Sequence, residues 1–333
     1  LASSASPRIE TRMNHRPTTL SCSLLVVLLA ASWAPAKKTP SKEFEPPDVY
    51  VHVDRVRQEL ELLRVWMGRP RDEQPELEIS GAEPREVFFQ AITLFRKANR
   101  LSTEQVHQRA REEPTPPAGQ IRPAHVRDAV DQALQHVLSV KAKLGLTSKI
   151  VPIKRDPDKT PSDVLRSIVQ ANRQVNLLLE RRFSPSDAFQ QVTVAMGYCE
   201  KLLERFPKAE TMPRAPSFKP NKQPGDVYGR LLKASDTIHA IIQASGLQSL
   251  ELKHPKQALI EGVAPSDVYD IASLLVSELA YLHSQLPDPA PPRTVYFPGR
   301  KFPSDVYQRA GILERQLAEL GRAIEKNPAW LRP

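Results

Sequence analysis

The chain is poor in glycine, with 12 residues among 333, and aromatic residues make up only 6%. Both shortages argue against a β-sandwich or β-barrel, which need turn glycines and ring-rich strands. So few glycines also leave little material for a phosphate-cradling loop. Only 2 cysteines are present, Cys22 and Cys199, so there is no disulfide framework and no Cys-x-x-Cys pair. His-Glu-x-x-His and Gly-x-Ser-x-Gly are missing as well, and no cofactor motif replaces them. No apolar run reaches the roughly 20 residues that a spanning helix needs.

The longest apolar run, Leu24 to Ala31, sits between Arg16 and Ala34-Pro35-Ala36. A basic start, a short apolar stretch and small residues before a cut are the parts of a secretory signal peptide. The expectation is translation from Met13, upstream sequence and leader over 1–36 with cleavage after Ala36, and a flexible segment over 37–44. Cys22 precedes the apolar run, where a lipid-bearing cysteine would follow it. The mature chain is thus expected to be periplasmic or secreted, without a transmembrane anchor. Cys199 lies among Val194, Ala195, Leu202 and Leu203 at helical spacing and reads as a core thiol.

Proline, by contrast, is abundant at 32 residues, and its placement is ordered. Pro161-Ser162-Asp163-Val164 returns around Asp187, Asp226, Asp267 and Asp305. Earlier copies surround Asp48 and Glu86, and His125 stands in for the acid in the weakest. Proline suits the first helical position, where its missing N–H has no intrahelical partner. An acid two residues later meets the free N–H groups and the positive end of the dipole. Thr160 and Ser184 add a capping hydroxyl. These acids are therefore read as structural helix starts. A cation site formed by several acids at one end is the competing reading.

Behind each start, apolar residues recur at steps of four and three, as in Val306, Ala310, Leu313, Leu317 and Leu320. That is one stripe of an α-helix, not the alternation of a strand. The starts recur about every 40 residues, and each position in the first half returns about 140 residues later, which points to an internal duplication. One gap, from Asp163 to Asp187, is short. The expected fold is all-α, a tandem pair of four-helix units of eight repeated amphipathic helices. Unit 1 spans 45–183, unit 2 spans 184–327, and 328–333 is a C-terminal tail. A helical tail is expected from Arg100 to Glu113. The short central link predicts that the fourth and fifth helices form an antiparallel hairpin.

The other links are long and rich in Pro and Lys. Roughly 15 residues can stretch about 50 Å, enough to return along a helix and let neighbours run parallel. The aromatics in the first turns, such as Tyr50, Phe189 and Tyr307, are expected to pack on adjacent helix ends or straps. The histidines His52, His107, His125, His136, His239, His254 and His283 show no metal-ligand spacing.

The net charge of +9 concentrates partly in the links. Lys159, Lys222 and Lys301 each stand four residues before a helix-start acid, with Lys154, Arg155 and Arg300 nearby. They form the candidate anion-binding rim, against the alternative of a solvated strap. Export makes nucleic acid a poor partner, and a protein or an anionic envelope component a better one. With no catalytic residue, metal ligand or cofactor assigned, the leading reading is a non-enzymatic exported binding or scaffold protein. Alternatives are a periplasmic small-ligand sensor built from tandem four-helix bundles, and an enzyme with an unrecognised site.

Overall fold

The computed structural model describes residues 44–331 except 72–75, 118, 181, 254–261, 288 and 294. The leader expected over 1–36, the start at Met13 and nearly all of the flexible segment over 37–44 lie outside the described residues.

The described chain is all-α. Its helices are α1 (Pro46–Trp66), α2 (Pro84–Val106), α3 (Pro123–Lys143), α4 (Pro161–Leu178), α5 (Pro185–Leu203), α6 (Pro224–Ala244), α7 (Pro265–Ser284) and α8 (Pro303–Lys326). Each begins at the proline of the repeated signature. The only strands among the described residues are two short ones, β1 (Ile79–Ser80) and β2 (Glu251–Leu252), paired antiparallel. None of the described helices is long and apolar enough to cross a membrane.

The helices form two groups with the same ring order. In the first, α1 and α2 each pack against α3 and α4; in the second, α5 and α6 each pack against α7 and α8. Within each group all four helices point the same way. The prolines of the first four starts surround one small void with Val49, Val87, Val126 and Val164. In the second group Lys222 N donates to Ser304 Oγ at 3.0 Å and Lys301 N to Ser186 Oγ at 2.9 Å. Phe183, just before α5, stacks on Tyr269 in the first turn of α7 at 4.2 Å between ring centres.

Shared direction and shared starting level place the stripes in register. Val53, Ala91, Val130 and Ile168 stand at one step behind their starts, and Leu63, Leu101, Val140 and Leu178 close the far end. All eight are completely buried. Burying each such side chain contributes about 1.5–3 kcal/mol, against about 0–1 kcal/mol for an exposed pair such as Lys253–Glu78. The layers therefore hold each group together. The alternating steps are those of a coiled-coil seam.

A parallel group requires each link to climb the full helix length, about 30 Å. The links do so as extended straps pinned to the helices beneath. Asn99 and Arg111 exchange two hydrogen bonds, at 3.0 and 3.2 Å. Gln316 and Gln308 hold the carbonyls of Thr211 and Pro216, and Gln190 holds that of Val295. Gly311 and Gly197 leave room for the straps: a Cβ on Gly311 would lie 2.8 Å from Pro216, and one on Gly197 3.2 Å from Pro292.

Two expectations are corrected. The helical tail over Arg100–Glu113 stops at Val106, because His107 enters the left-handed region with φ 58°. Residues beyond it turn back as strap, held by Asn99 and by the Arg96–Glu113 pair at 2.5 Å. Helices α4 and α5 run in opposite senses but do not pack along each other. Phe183 instead inserts beside Tyr269 and carries α5 to α7. The two groups meet where α2 packs against α7, with α4 touching α7.

Candidate functional site

The repeated acids are caps. The cap backbone N–H donates to Asp48, Glu86, Asp163, Asp187, Asp226, Asp267 and Asp305 at 2.7–3.0 Å. His125 Nδ1 accepts in the same way from Arg122 N at 3.1 Å. The hydroxyls of Thr160 and Ser184 complete the box as expected. No group of three or more His, Cys, Asp or Glu residues that could hold a metal ion occurs among the described residues. His254 lies outside them.

The basic link residues fall into two sets. Helix α2 runs against α7 in the opposite sense, so the two groups start at opposite ends of their shared seam. Lys154, Arg155 and Lys159 belong to one end, and Lys222, Arg300 and Lys301 to the other. Most are engaged within the molecule. Arg155 bonds Asp48 at 2.7 Å and also pairs with Glu45, while Lys222 bonds Asp226 at 2.8 Å. Lys159 lies over the Tyr50 ring at 4.9 Å, Lys222 over Tyr307 at 4.8 Å and Lys301 over Phe189 at 5.2 Å. Arg300 lies 5.2 Å from the Phe302 ring, and Lys154 is exposed on its strap.

These contacts follow a rule. The residue four before one acid covers the residue two after the acid of the neighbouring helix. At α1 and α3 the chemistry is exchanged, with Arg127 over Phe44 at 3.9 Å. Each pair contributes about 0.5–1 kcal/mol at such exposure, and together they tie α1 to α3 and α4, and α8 to α5 and α6, at their starts.

The seam itself is the least ordinary part of the molecule. Behind its apolar stripe, α2 carries a second stripe of Glu86, Gln90, Thr93 and Lys97, all at most 3% exposed. It faces α7. Lys97 Nζ meets Asp270 at 2.5 Å, and Asn176 donates to the other oxygen of Asp270 at 3.1 Å. Gln90 donates to Ser277 Oγ at 3.2 Å. Near the start of α2, Arg85 pairs with Glu86 and Glu83 at 2.5 Å each and lies 3.6 Å over the Tyr281 ring. Its guanidinium also donates to the Gln248 carbonyl.

Glu278 of α7 sits beside this cluster, 5% exposed, with neither carboxyl oxygen matched to a donor. Burial raises its pKa well above the ordinary glutamate range, and the neighbouring Glu86 pushes it further up. Burial raises Glu86 too, although Arg85 opposes the change. Two carboxyl groups beside one another in a buried place disfavour a second negative charge, so Glu278 keeps its proton to higher pH. Lys97 is shifted down by burial, with Asp270 opposing.

A cavity of about 640 Å³ opens beside Arg85. Its walls come from both groups: Phe89 of α2, Tyr198 of α5 and Tyr281 of α7. Two straps complete it with Pro116 and Pro117 on one side and Pro289 and Pro291 on the other. Gln120, Ser284 and Gln285 supply neutral hydrogen-bonding groups. His283 also lines it, edge-on to Tyr198 at 5.5 Å, and burial lowers its pKa. The volume falls within the range of small-molecule sites, about 300–1,000 Å³.

A second cavity of about 720 Å³ lies between α1, α3 and the strap after α3. Its wall holds no Phe, Tyr or Trp, and there Lys141 pairs with Glu59 at 2.6 Å and His52 with Asp131 at 2.7 Å.

The seam residues Arg85, Glu278, Tyr281 and Tyr198 were not among the sequence candidates. Their signal is a second run at helical spacing on α7, Ile271, Leu274 and Glu278, outside the repeated stripe. Cys199 is fully buried as expected. No protein-family model, curated protein or solved structure matches this chain.

Proposed function

We propose that this chain is a non-enzymatic binding protein of the exported compartment, periplasmic or secreted, that holds a small organic ligand in the seam cavity. The observation that carries this reading is the 640 Å³ cavity walled by both helix groups and two straps. Sites between helices of bundles and at interfaces between packed units are the usual places for such ligands. The basic rim supports the reading less well, because its cations are divided between two ends and mostly engaged internally. Glu86 and Glu278 do not line the cavity, which favours holding a ligand over acting on it. The leader-like segment before Lys37 supports export.

A thermal-shift screen of a metabolite collection on the full chain tests this. A ligand at a hundred times its Kd stabilises by about 2.7 kcal/mol, a rise in Tm of roughly 4–5 °C for a chain of this size. The shift should vanish in Ser284→Trp, which fills the cavity from an exposed rim position. Absence of any shift, or an equal shift in Ser284→Trp, overturns the reading.

A further inference from the structure

Resting on the binding role just argued, we propose that the seam cavity takes an uncharged, ring-bearing small molecule carrying hydroxyl or amide groups. The first argument is charge. Arg85 is the cation on the described wall, and it is already committed to Glu83, Glu86, the Gln248 carbonyl and the Tyr281 face. An anionic ligand would have to take Arg85 from two carboxylates. Glu83, the acid on the described wall, is bound by the same guanidinium, so a cationic ligand would have to compete with Arg85 for it. His283, the remaining titratable base on that wall, is 5% exposed and kept neutral by burial. A charged ligand would lose its hydration without gaining a counter-ion.

The second argument is shape. Pro116 and Pro117 face the cavity from one strap, and Pro289 and Pro291 from the other. Their apolar rings, with Tyr198 and Phe89, form surfaces suited to a ring system. One face of Tyr281 is covered by Arg85, and Tyr198 and Phe89 line the cavity beside it. Gln120 and Gln285 then supply neutral donors and acceptors that reward hydroxyl or amide groups on the ligand, while the Ser284 hydroxyl is given to the Tyr281 carbonyl at 2.6 Å.

The experiment is isothermal titration of the full chain with three naphthalene probes of one shape: 1-naphthylmethanol, 1-naphthoate and 1-naphthylmethylammonium. The neutral probe should bind at least tenfold more tightly than either ion. Tyr198→Ala should weaken it several-fold, and Tyr198→Phe should restore it. If an ion binds as tightly or more tightly and Ser284→Trp abolishes that binding, the ligand class is wrong and the cavity reading stands. If no probe binds while a metabolite shift persists in the wild type and disappears in Ser284→Trp, the class again fails alone. If no probe binds and no shift exists, both fail.

Discussion

Glu278→Gln isolates the buried carboxyl pair. In the native state Glu278 keeps its proton well above the ordinary value of 4.5, because burial and Glu86 both disfavour its ionised form. The unfolded chain releases that proton in the ordinary range. The folded state therefore binds more protons, and stability falls as pH rises from the unfolded value towards the folded one. Below the unfolded value nothing is lost. One proton corresponds to about 1.4 kcal/mol per pH unit in that window. The side chain is more than nine-tenths buried, so solvent screening takes little from the effect. Glutamine has the same shape, offers an N–H to Glu86 and has no proton to lose. Urea unfolding of both proteins, followed by far-UV circular dichroism between about pH 5 and 6, should show a slope shallower by about 1.4 kcal/mol per unit in the variant. The variant should be the more stable protein at the upper end. Equal slopes, or a variant weaker at every pH, would refute the description of Glu278 as a buried carboxyl that keeps its proton.

Lys97→Met should destabilise the fold by about 3–5 kcal/mol, since it strands Asp270 in the seam, and Lys97→Met with Asp270→Leu should recover most of that loss in urea unfolding. Gly311→Ala should destabilise by about 1 kcal/mol, the crowding against Pro216 outweighing the helix-propensity gain, and limited trypsin digestion should cut faster at Arg214. Gly229→Ala, where the added Cβ meets open space, should instead stabilise by about 0.5–1 kcal/mol in the same unfolding assay. Cys199 should resist Ellman's reagent in the folded chain and react on denaturation, because burial pushes its thiol pKa upward.

Helix positions were readable because their cause is local. Pro46, Pro84 and the later prolines set φ at the first turn, and the following acid or His125 accepts from the cap N–H within three residues. The apolar stripes were equally local. Parallel packing was open to sequence reasoning only as a possibility, since it depends on straps whose anchors, such as Gln316 to Thr211, join distant residues. The seam was illegible for a different reason. Glu86, Gln90, Thr93 and Lys97 have the composition of a solvated face, and nothing local distinguishes a stripe that meets water from one that meets Asp270 and Ser277. Arg85, Tyr198 and Tyr281 gain their significance only through that contact. The link lysines were located correctly in the chain, but their aromatic partners sit on neighbouring helices and became visible only in the fold.

The parallel direction of the helices within each group creates the ties at the helix starts, the straps and the seam cavity together. The most direct test places spin labels at Gln243→Cys and Glu325→Cys, exposed positions near the ends of α6 and α8, in a Cys22→Ser background. Cys199 is buried and stays unlabelled. Double electron–electron resonance should give a single distance below about 25 Å, while Gln243→Cys paired with Lys222→Cys should give about 30 Å, the length of one helix. A long distance between the α6 and α8 ends would mean that the two helices run in opposite senses, and would contradict the account.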